Sequence, residues 1–208
     1  MTLSLWVHII DDDDAVRDSM AVLLRANAFA VRTHNNARSF FDVYRPEETG
    51  CVLVDMFMPE LKGDEVQDRL LRLGDAPPII VITGHPEVRI AVEAMKRGAV
   101  EFLEKPIDPA DLIDVVRKSV NKQMEELRRR QRTEDAQARI GVLTPRERDV
   151  LRQLLRGRPN KIIARELGLS PRTVEIHRAR VMEKTGAGSL PILVKLAMAA
   201  GLDPEPSR

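Results

Sequence analysis

The chain has 208 residues, enough for one large domain or two ordinary ones, and its 43% apolar content suits a globular protein. Net charge is only +1, but residues 1–120 carry 14 Lys/Arg against 21 Asp/Glu, net −7, and residues 121–208 carry 19 against 11, net +8. That asymmetry predicts an acidic module joined to one that binds nucleic acid. The one cysteine, Cys51, lies in an apolar run, which excludes an intrachain disulfide framework and a cysteine-based zinc site. Met1 to Trp6 lacks a basic leader region, and no stretch reaches the roughly 18 apolar residues of a membrane span. A cytoplasmic protein without membrane contact is expected.

Leu5 to Ile10 reads as a buried strand that ends abruptly in four aspartates. Val16, Met20, Leu23 and Leu24 are spaced for a helix over 15–25. Phe29 to Val31 predicts a second strand and Ala37 to Tyr44 a second helix. Gly50 to Asp55 is a third buried strand, again ending in an acid. A helix over 66–73 is broken by Pro77-Pro78. Ile79 to Ile82 forms a fourth strand, closed by Thr83-Gly84. Val88, Ala91, Val92 and Met95 share one face of a fourth helix, which Gly98 ends. Val100 to Leu103 is a fifth strand, and Lys105-Pro106 precedes a last helix from near Asp108.

Alternating strands and helices predict a parallel sheet with helices on both faces. Ligands then sit beyond the carboxyl ends of the strands, where this chain places Asp11, Asp12, Asp55, Thr83 and Lys105. Three carboxylates that converge there need a cation or a raised pKa. Few hard oxygen ligands suit Mg2+. Asp55 is positioned to act as a carboxylate nucleophile toward a phosphoryl group, with Lys105 pairing a phosphoryl oxygen and Thr83 donating its hydroxyl. Asp13 and Asp14 begin the first helix, at its positive dipole end.

Ile10-Asp11-Asp12, Asp55-Met56-Phe57-Met58-Pro59 with Gly63, Thr83-Gly84 and Lys105-Pro106, in this order and spacing, resemble the receiver domains of bacterial two-component systems. The resemblance implies an α/β doubly wound, flavodoxin-like fold with strand order 2-1-3-4-5 and phosphorylation on Asp55. It implies that Asp12, Asp55 and the backbone carbonyl of Phe57 hold Mg2+, with Asp11 close by through water. It also implies a cis bond before Pro106 that aims Lys105 inward. Phe102 is expected to swing inward as Thr83 moves toward the phosphate. Val88, Val92, Met95 and Phe102 then mark a fourth-helix, fifth-strand face expected to dimerise on phosphorylation.

Residues 121–140 are dense in charge and lack Gly and Pro until Gly141, which predicts a helical linker continuing the preceding helix. From Thr144 the pattern is all-helical. Thr144, Pro145 and Glu147 form a capping box with Pro at the first helical position. Val150, Leu151, Leu154 and Leu155 form that helix's apolar face, and Gly157 ends it. A second helix over 160–167 ends at Gly168, Ser170-Pro171 starts a third, and a fourth runs over 189–200. The tight Gly168-Leu169-Ser170 connection is the spacing of a helix-turn-helix. Segments Leu143 to Gly157, Pro159 to Ala164 and Ser170 to His177 resemble the LuxR-type helix-turn-helix. Both halves together resemble the NarL/FixJ subfamily, most closely its FixJ-like branch. Three segments are therefore expected: a receiver over 1–120, the linker, and a DNA-binding domain over 141–208.

The recognition helix is expected from Pro171 to about Lys184, with Val174, Val181 and either Ile176 or His177 packing inward. Arg172, Arg178, Arg180 and Lys184 supply charge for phosphates, as do Asn160 and Lys161 at the preceding helix start. Thr173 is counted with this set. The resemblance puts base reading at Glu175, Ile176 and Ala179, through a cytosine amino group or thymine methyls. The histidines have no metal spacing: His8 lies in a strand, His34 in a polar loop, His85 beside the acidic pocket, His177 on the recognition helix.

The resemblance implies a transcription factor rather than an enzyme, with a cognate sensor histidine kinase, promoter DNA and RNA polymerase as partners and a homodimer on phosphorylation. A phosphatase using Asp55 would want a second acid two residues on, and that position is Phe57. Constitutive DNA binding, with the receiver acting only to dimerise, is the other alternative. Two couplings between the halves stay open: release of an occluded recognition helix, or simple pairing of two DNA-binding domains.

Overall fold

The structure, a computed structural model, describes residues 5–59, 61–74, 76–85 and 87–202. The leader reading at Met1 to Ser4 and the last six residues lie outside these. The chain divides into two units, Met1–Leu127 and Arg128–Arg208.

The first unit is built on five parallel strands in the order β2-β1-β3-β4-β5: β1 (Trp6–Ile10), β2 (Ala30–His34), β3 (Thr49–Asp55), β4 (Ile79–Thr83) and β5 (Glu101–Glu104). The sheet is buried on both faces, so β3 is apolar from Cys51 to Val54 and none of its residues is exposed. One face packs Val7, Ile9, Cys51, Leu53, Ile80 and Ile82 against α1 (Asp14–Ala26) and the start of α5 (Pro109–Gly141). The other packs Val52, Val54 and Val81 against α2 (Ala37–Phe41), α3 (Gly63–Arg72) and α4 (Val88–Lys96). Each fully buried aliphatic side chain contributes about 1.5–3 kcal/mol.

Two elements differ from the sequence reading. β2 runs three residues beyond Val31, so His34 ends a strand and is buried, not placed in a polar loop. Arg32 and Thr33 hide that extension, because they break the apolar run while the backbone still pairs with β1. α2 stops at Phe41, three residues short of Tyr44, whose ring nevertheless packs at 5.2 Å from that of Phe40.

α5 is one continuous helix of 33 residues, and the boundary between the two units falls within it. In the second unit, α6 (Pro145–Leu155), α7 (Asn160–Leu167), α8 (Pro171–Thr185) and α9 (Leu190–Ala199) surround Val150, Leu151, Leu154, Ile163, Val174, Val181 and Leu193. Thr144 caps α6 by the expected box. Gly168 adopts φ 65°, the left-handed conformation that lets α7 stop and α8 start within three residues. Ser170 caps α8 by accepting from the Thr173 N–H at 3.1 Å.

Candidate functional site

The sheet order reverses between β1 and β3, and the residues just past those strands face the resulting crevice. Asp11 follows β1, Asp55 ends β3, Thr83 ends β4 and Lys105 follows β5. The Lys105 ammonium lies 2.6 Å from Asp55 Oδ2 and 2.8 Å from Asp11 Oδ2. The Lys105–Pro106 peptide is cis. The Lys105 N–H donates to the Thr83 carbonyl at 2.8 Å, which ties the lysine to the end of β4.

Asp11, Asp12 and Asp55 each offer a carboxylate oxygen within 4.8 Å of the others. Asp11 is buried and Asp12 exposed, so the cluster opens to solvent on one side. Asp11 Oδ1 accepts from the Asp13 N–H at 2.9 Å, and its buried Oδ2 meets the Lys105 ammonium at 2.8 Å. Burial pushes the Asp11 carboxyl above its ordinary range against the opposing pull of Lys105 and the Asp13 N–H. Burial acts to lower the Lys105 ammonium, but the two carboxylates outweigh it and the net direction is upward. Three carboxylates this close together, with the Lys105 ammonium paired to two of them, are a donor set that fits a small oxygen-ligated dication.

Two features hold Asp55 in place. The Phe57 N–H donates to Asp55 Oδ1 at 3.1 Å. Gly63, the first residue of α3, comes so close that a Cβ there would lie 2.6 Å from the Asp55 carbonyl oxygen. The Phe57 ring is 46% exposed and meets the His85 ring edge-on, with centroids 5.7 Å apart. Thr83 is fully buried, and its hydroxyl oxygen accepts from the His85 N–H at 3.1 Å. Phe102 is half-buried against the cluster containing Val54 and Val81. On α4 only Ala94 is buried, whereas Val88 is 82% exposed and Val92 and Met95 are both 45% exposed.

Sequence reasoning passed over three residues around the site. Arg17 donates to the Asp11 carbonyl at 2.7 Å and pairs with Asp14, bracing the β1–α1 loop. Gln67, buried on the core face of α3, donates to the Ala94 carbonyl at 2.9 Å and so ties α3 to α4. Arg97 adds ion pairs at 3.4 Å to Asp64 and Asp68. A glutamine between Val66 and Leu70 in an otherwise apolar helix face was the available signal for Gln67. A further omission is a histidine pair. His8 Nδ1 lies 2.9 Å from His34 Nε2, the two rings stack, and both meet Phe40.

In the second unit, Val174 and Val181 are fully buried on one side of α8. At 100° per residue, Arg172, Glu175, Ile176 and Ala179 lie together on the opposite side, and all four are exposed. Ile176 is therefore outward, and His177 is the half-buried one, with its Nδ1 enclosed. Lys161 and Arg180 are exposed, and Thr173 is half-buried, sharing a 2.8 Å hydroxyl contact with Ser170. Arg178 stands off the exposed face and donates to Asn160 Oδ1 at 3.4 Å. Lys184 is engaged inside the unit, 2.7 Å from Glu147 Oε2. That lysine, hydrogen-bonded to Glu147, together with the Thr144 N–H, holds the Glu147 carboxyl down to about 2.

An Asp–Lys–Asp cluster at the switch point of a doubly wound sheet, on a chain that also carries a helix-turn-helix with an outward α8 face, defines a regulator that joins a receiver-like unit to its own DNA-binding module. Residues 7–117 match the family described as response regulator receiver domain, and residues 141–197 match bacterial regulatory proteins of the luxR family. The chain belongs to the two-component response regulators that couple a receiver to a LuxR-type DNA-binding domain. It is 48% identical over 204 residues to the transcriptional regulatory protein FixJ of Azorhizobium caulinodans, covering 98% of this chain and 97% of that protein. It is 43% identical to FixJ of Rhizobium meliloti over 95% of this chain and 97% of the relative. Among solved structures it resembles the response regulator StyR, with a TM-score of 0.86 and 38% identity over 94% of this chain and 98% of that one. Full-length FixJ from B. japonicum aligns with a TM-score of 0.58 and 41% identity over 97% and 99%. Among the described residues no helix is long and apolar enough to cross a membrane.

Proposed function

We propose that Asp55 accepts a phosphoryl group from a sensor histidine kinase and that the modified chain pairs through α4 and β5 to bind promoter DNA. The observation that carries this reading is the Lys105 ammonium 2.6 Å from Asp55 Oδ2 at the open end of the sheet. An Asp55 oxygen attacks phosphorus, and the donor's P–N bond breaks, its electron pair leaving with the imidazole nitrogen. Lys105 stays beside the new phosphoryl oxygens as a charge-assisted donor. Asp12, Asp55 and the Phe57 carbonyl, with Asp11 through water, would hold Mg2+, which when bound would offset the charge of the incoming group. Phe57 offers no proton two residues beyond the nucleophile, which favours a retained phosphoryl group over rapid turnover.

Thr83 turns its hydroxyl from the His85 N–H toward the phosphoryl oxygens, and Phe102 fills the space this opens. The exposed Val88, Val92 and Met95 then pack against a second copy. Residues 121–140 act as the helical linker to two DNA-binding units. Arg172, Arg180, Lys161 and Asn160 meet phosphates, Arg178 and Thr173 support them from the helix flanks, and Glu175, Ile176 and Ala179 face the bases. Transcription then follows from contact with RNA polymerase at the promoter.

Incubation with a small-molecule phosphodonor and Mg2+, with Asp55→Asn as control, tests the reading. Wild-type protein should gain one phosphoryl group, sediment as a dimer and bind DNA more tightly, and the variant should do none of these. High DNA affinity that the phosphodonor leaves unchanged would favour constitutive binding instead. Arg178→Ala should weaken binding across sequences, whereas Glu175→Ala should alter site preference.

A further inference from the structure

The C-terminal part of α5 carries a charge pattern that the helix-turn-helix reading does not use. Four arginines fall within five residues at Arg128, Arg129, Arg130 and Arg132, and Arg139 follows. All of this stretch belongs to the second unit, whose core it joins through Ile140. At 100° per residue, Arg128, Arg132 and Arg139 lie within about 40° of one another around the helix axis. They span about 16 Å along it, at 1.5 Å per residue. All three are exposed, and none has an ion pair or side-chain hydrogen bond among the described residues. Asp135 shares the neighbouring surface but accepts from Gln131 at 3.2 Å. The nearest buried residues of the helix, Ala136 and Ile140, lie to one side of this row and leave it open.

We propose that Arg128, Arg132 and Arg139 form a second DNA contact, a phosphate-tracking row on the linker helix that is separate from α8. Duplex DNA is the occupant that the charge favours. It presents one negative charge per about 1.7 Å of axis, dense enough to meet all three guanidinium groups at once. The row also belongs to the more basic unit: residues 128–208 hold 18 Lys/Arg against 9 Asp/Glu, net +9. A guanidinium row of this kind contacts phosphate without reading bases, so it adds affinity and salt dependence rather than sequence preference.

The proposal rests on the DNA-binding reading of the second unit, and the experiment separates the two. Affinity of the full chain for a fluorescein-labelled duplex of random sequence is measured by anisotropy across a salt series. In one variant Arg128, Arg132 and Arg139 are all replaced by Gln, in a second all by Lys, and a third is R172Q with R180Q on α8. Each lost phosphate contact lowers the log–log salt slope by about 0.9. The Gln variant should therefore lose about 2 to 3 from that slope and bind on the order of tenfold more weakly at low salt. The Lys variant should keep most of both, which a merely structural role of the arginines would not produce. A Gln variant with wild-type slope overturns the proposal, as does a Lys variant as impaired as the Gln one. If the α8 variant loses slope and the Gln variant does not, the linker row alone is wrong. If the reverse holds, the α8 reading fails and the linker row stands as the DNA contact.

Discussion

Gly63 shows how closely the backbone at Asp55 is packed. A methyl group at this position would sit 2.6 Å from the Asp55 carbonyl oxygen and 2.9 Å from the Met56 Cα, both backbone atoms with no side-chain freedom to yield. Gly63→Ala should therefore move the β3–α3 loop rather than a rotamer. The expected result is a loss of about 1–3 kcal/mol in urea unfolding of the first unit, together with slower labelling of Asp55 by a phosphodonor. Unchanged labelling would show that the loop absorbs the methyl without disturbing Asp55. Sequence reasoning quoted Gly63 as part of a motif, but only the contact explains why no side chain fits. Lys184 is the opposite case. Its place on the recognition helix marked it for phosphate, and its ammonium is instead tied to a glutamate 37 residues earlier. Nothing in the local pattern of α8 reveals a partner that only the packing of α6 on α8 brings near.

At the scale of elements, Glu147 joins two of them. It closes the capping box of α6 and pairs with Lys184 near the end of α8. Its folded-state pKa of about 2 lies below the ordinary carboxylate value of 4.5, so its contribution to stability is complete above pH 4.5 and is lost as pH falls toward 2. Glu147→Gln should lower the stability of the second unit by about 1–3 kcal/mol at neutral pH and flatten that acid limb. Circular dichroism during chemical unfolding at several pH values measures both. In the first unit, β1 and β2 are joined by His8 and His34, which burial holds down to about 3 and about 4. Both are neutral in the folded unit and protonated in the unfolded chain below the ordinary histidine value of 6.5. Stability should therefore fall as pH drops from 6.5 through the folded values, by about 1.4 kcal/mol per pH unit for each proton. Replacing both histidines with Leu should remove that slope, and a wild-type profile flat from pH 6.5 to 5 would contradict it.

Strand positions, helix positions and the two charge-separated halves were legible because apolar runs, Gly and Pro mark them directly. The order of the strands was not, because periodicity carries no information about which strand lies beside which, and it came from the resemblance to receivers. β2 was cut short for a related reason: Arg32 and Thr33 look like loop until the pairing with β1 is known. The acidic pocket was legible because its members sit at strand ends in order. The histidine pair was not, since its partners are 26 residues apart.

For the whole molecule, the proposed coupling makes pairing through α4 a requirement for tight DNA binding. Val88→Asp with Met95→Asp should leave the first unit folded, since both side chains are already in solvent. Phosphodonor labelling of Asp55 should persist, while phosphodonor-dependent dimer formation in analytical ultracentrifugation and the accompanying gain in DNA affinity disappear. A variant that is labelled, monomeric and still gains affinity would point to release of an occluded helix rather than to pairing. The two outcomes separate the couplings that the sequence leaves open.

The anchoring of α4 is uneven along its length. Gln67 and the Arg97 ion pairs fasten its carboxyl end to α3, and Ala94 is its one buried residue. Its amino end, beginning at the 82% exposed Val88, adjoins the loop that Thr83 and His85 form. The helix is thus fastened near Ala94 and freer at its amino end, beside the loop after β4. Val88 stands about 9 Å from Ala94 along the helix, so a tilt of about 10° would carry it through about 1.6 Å. A displacement of the loop after β4 can thus be passed to the exposed amino end of α4, where a second copy would sit under the proposed function, while Ala94 and the core beneath it stay in place.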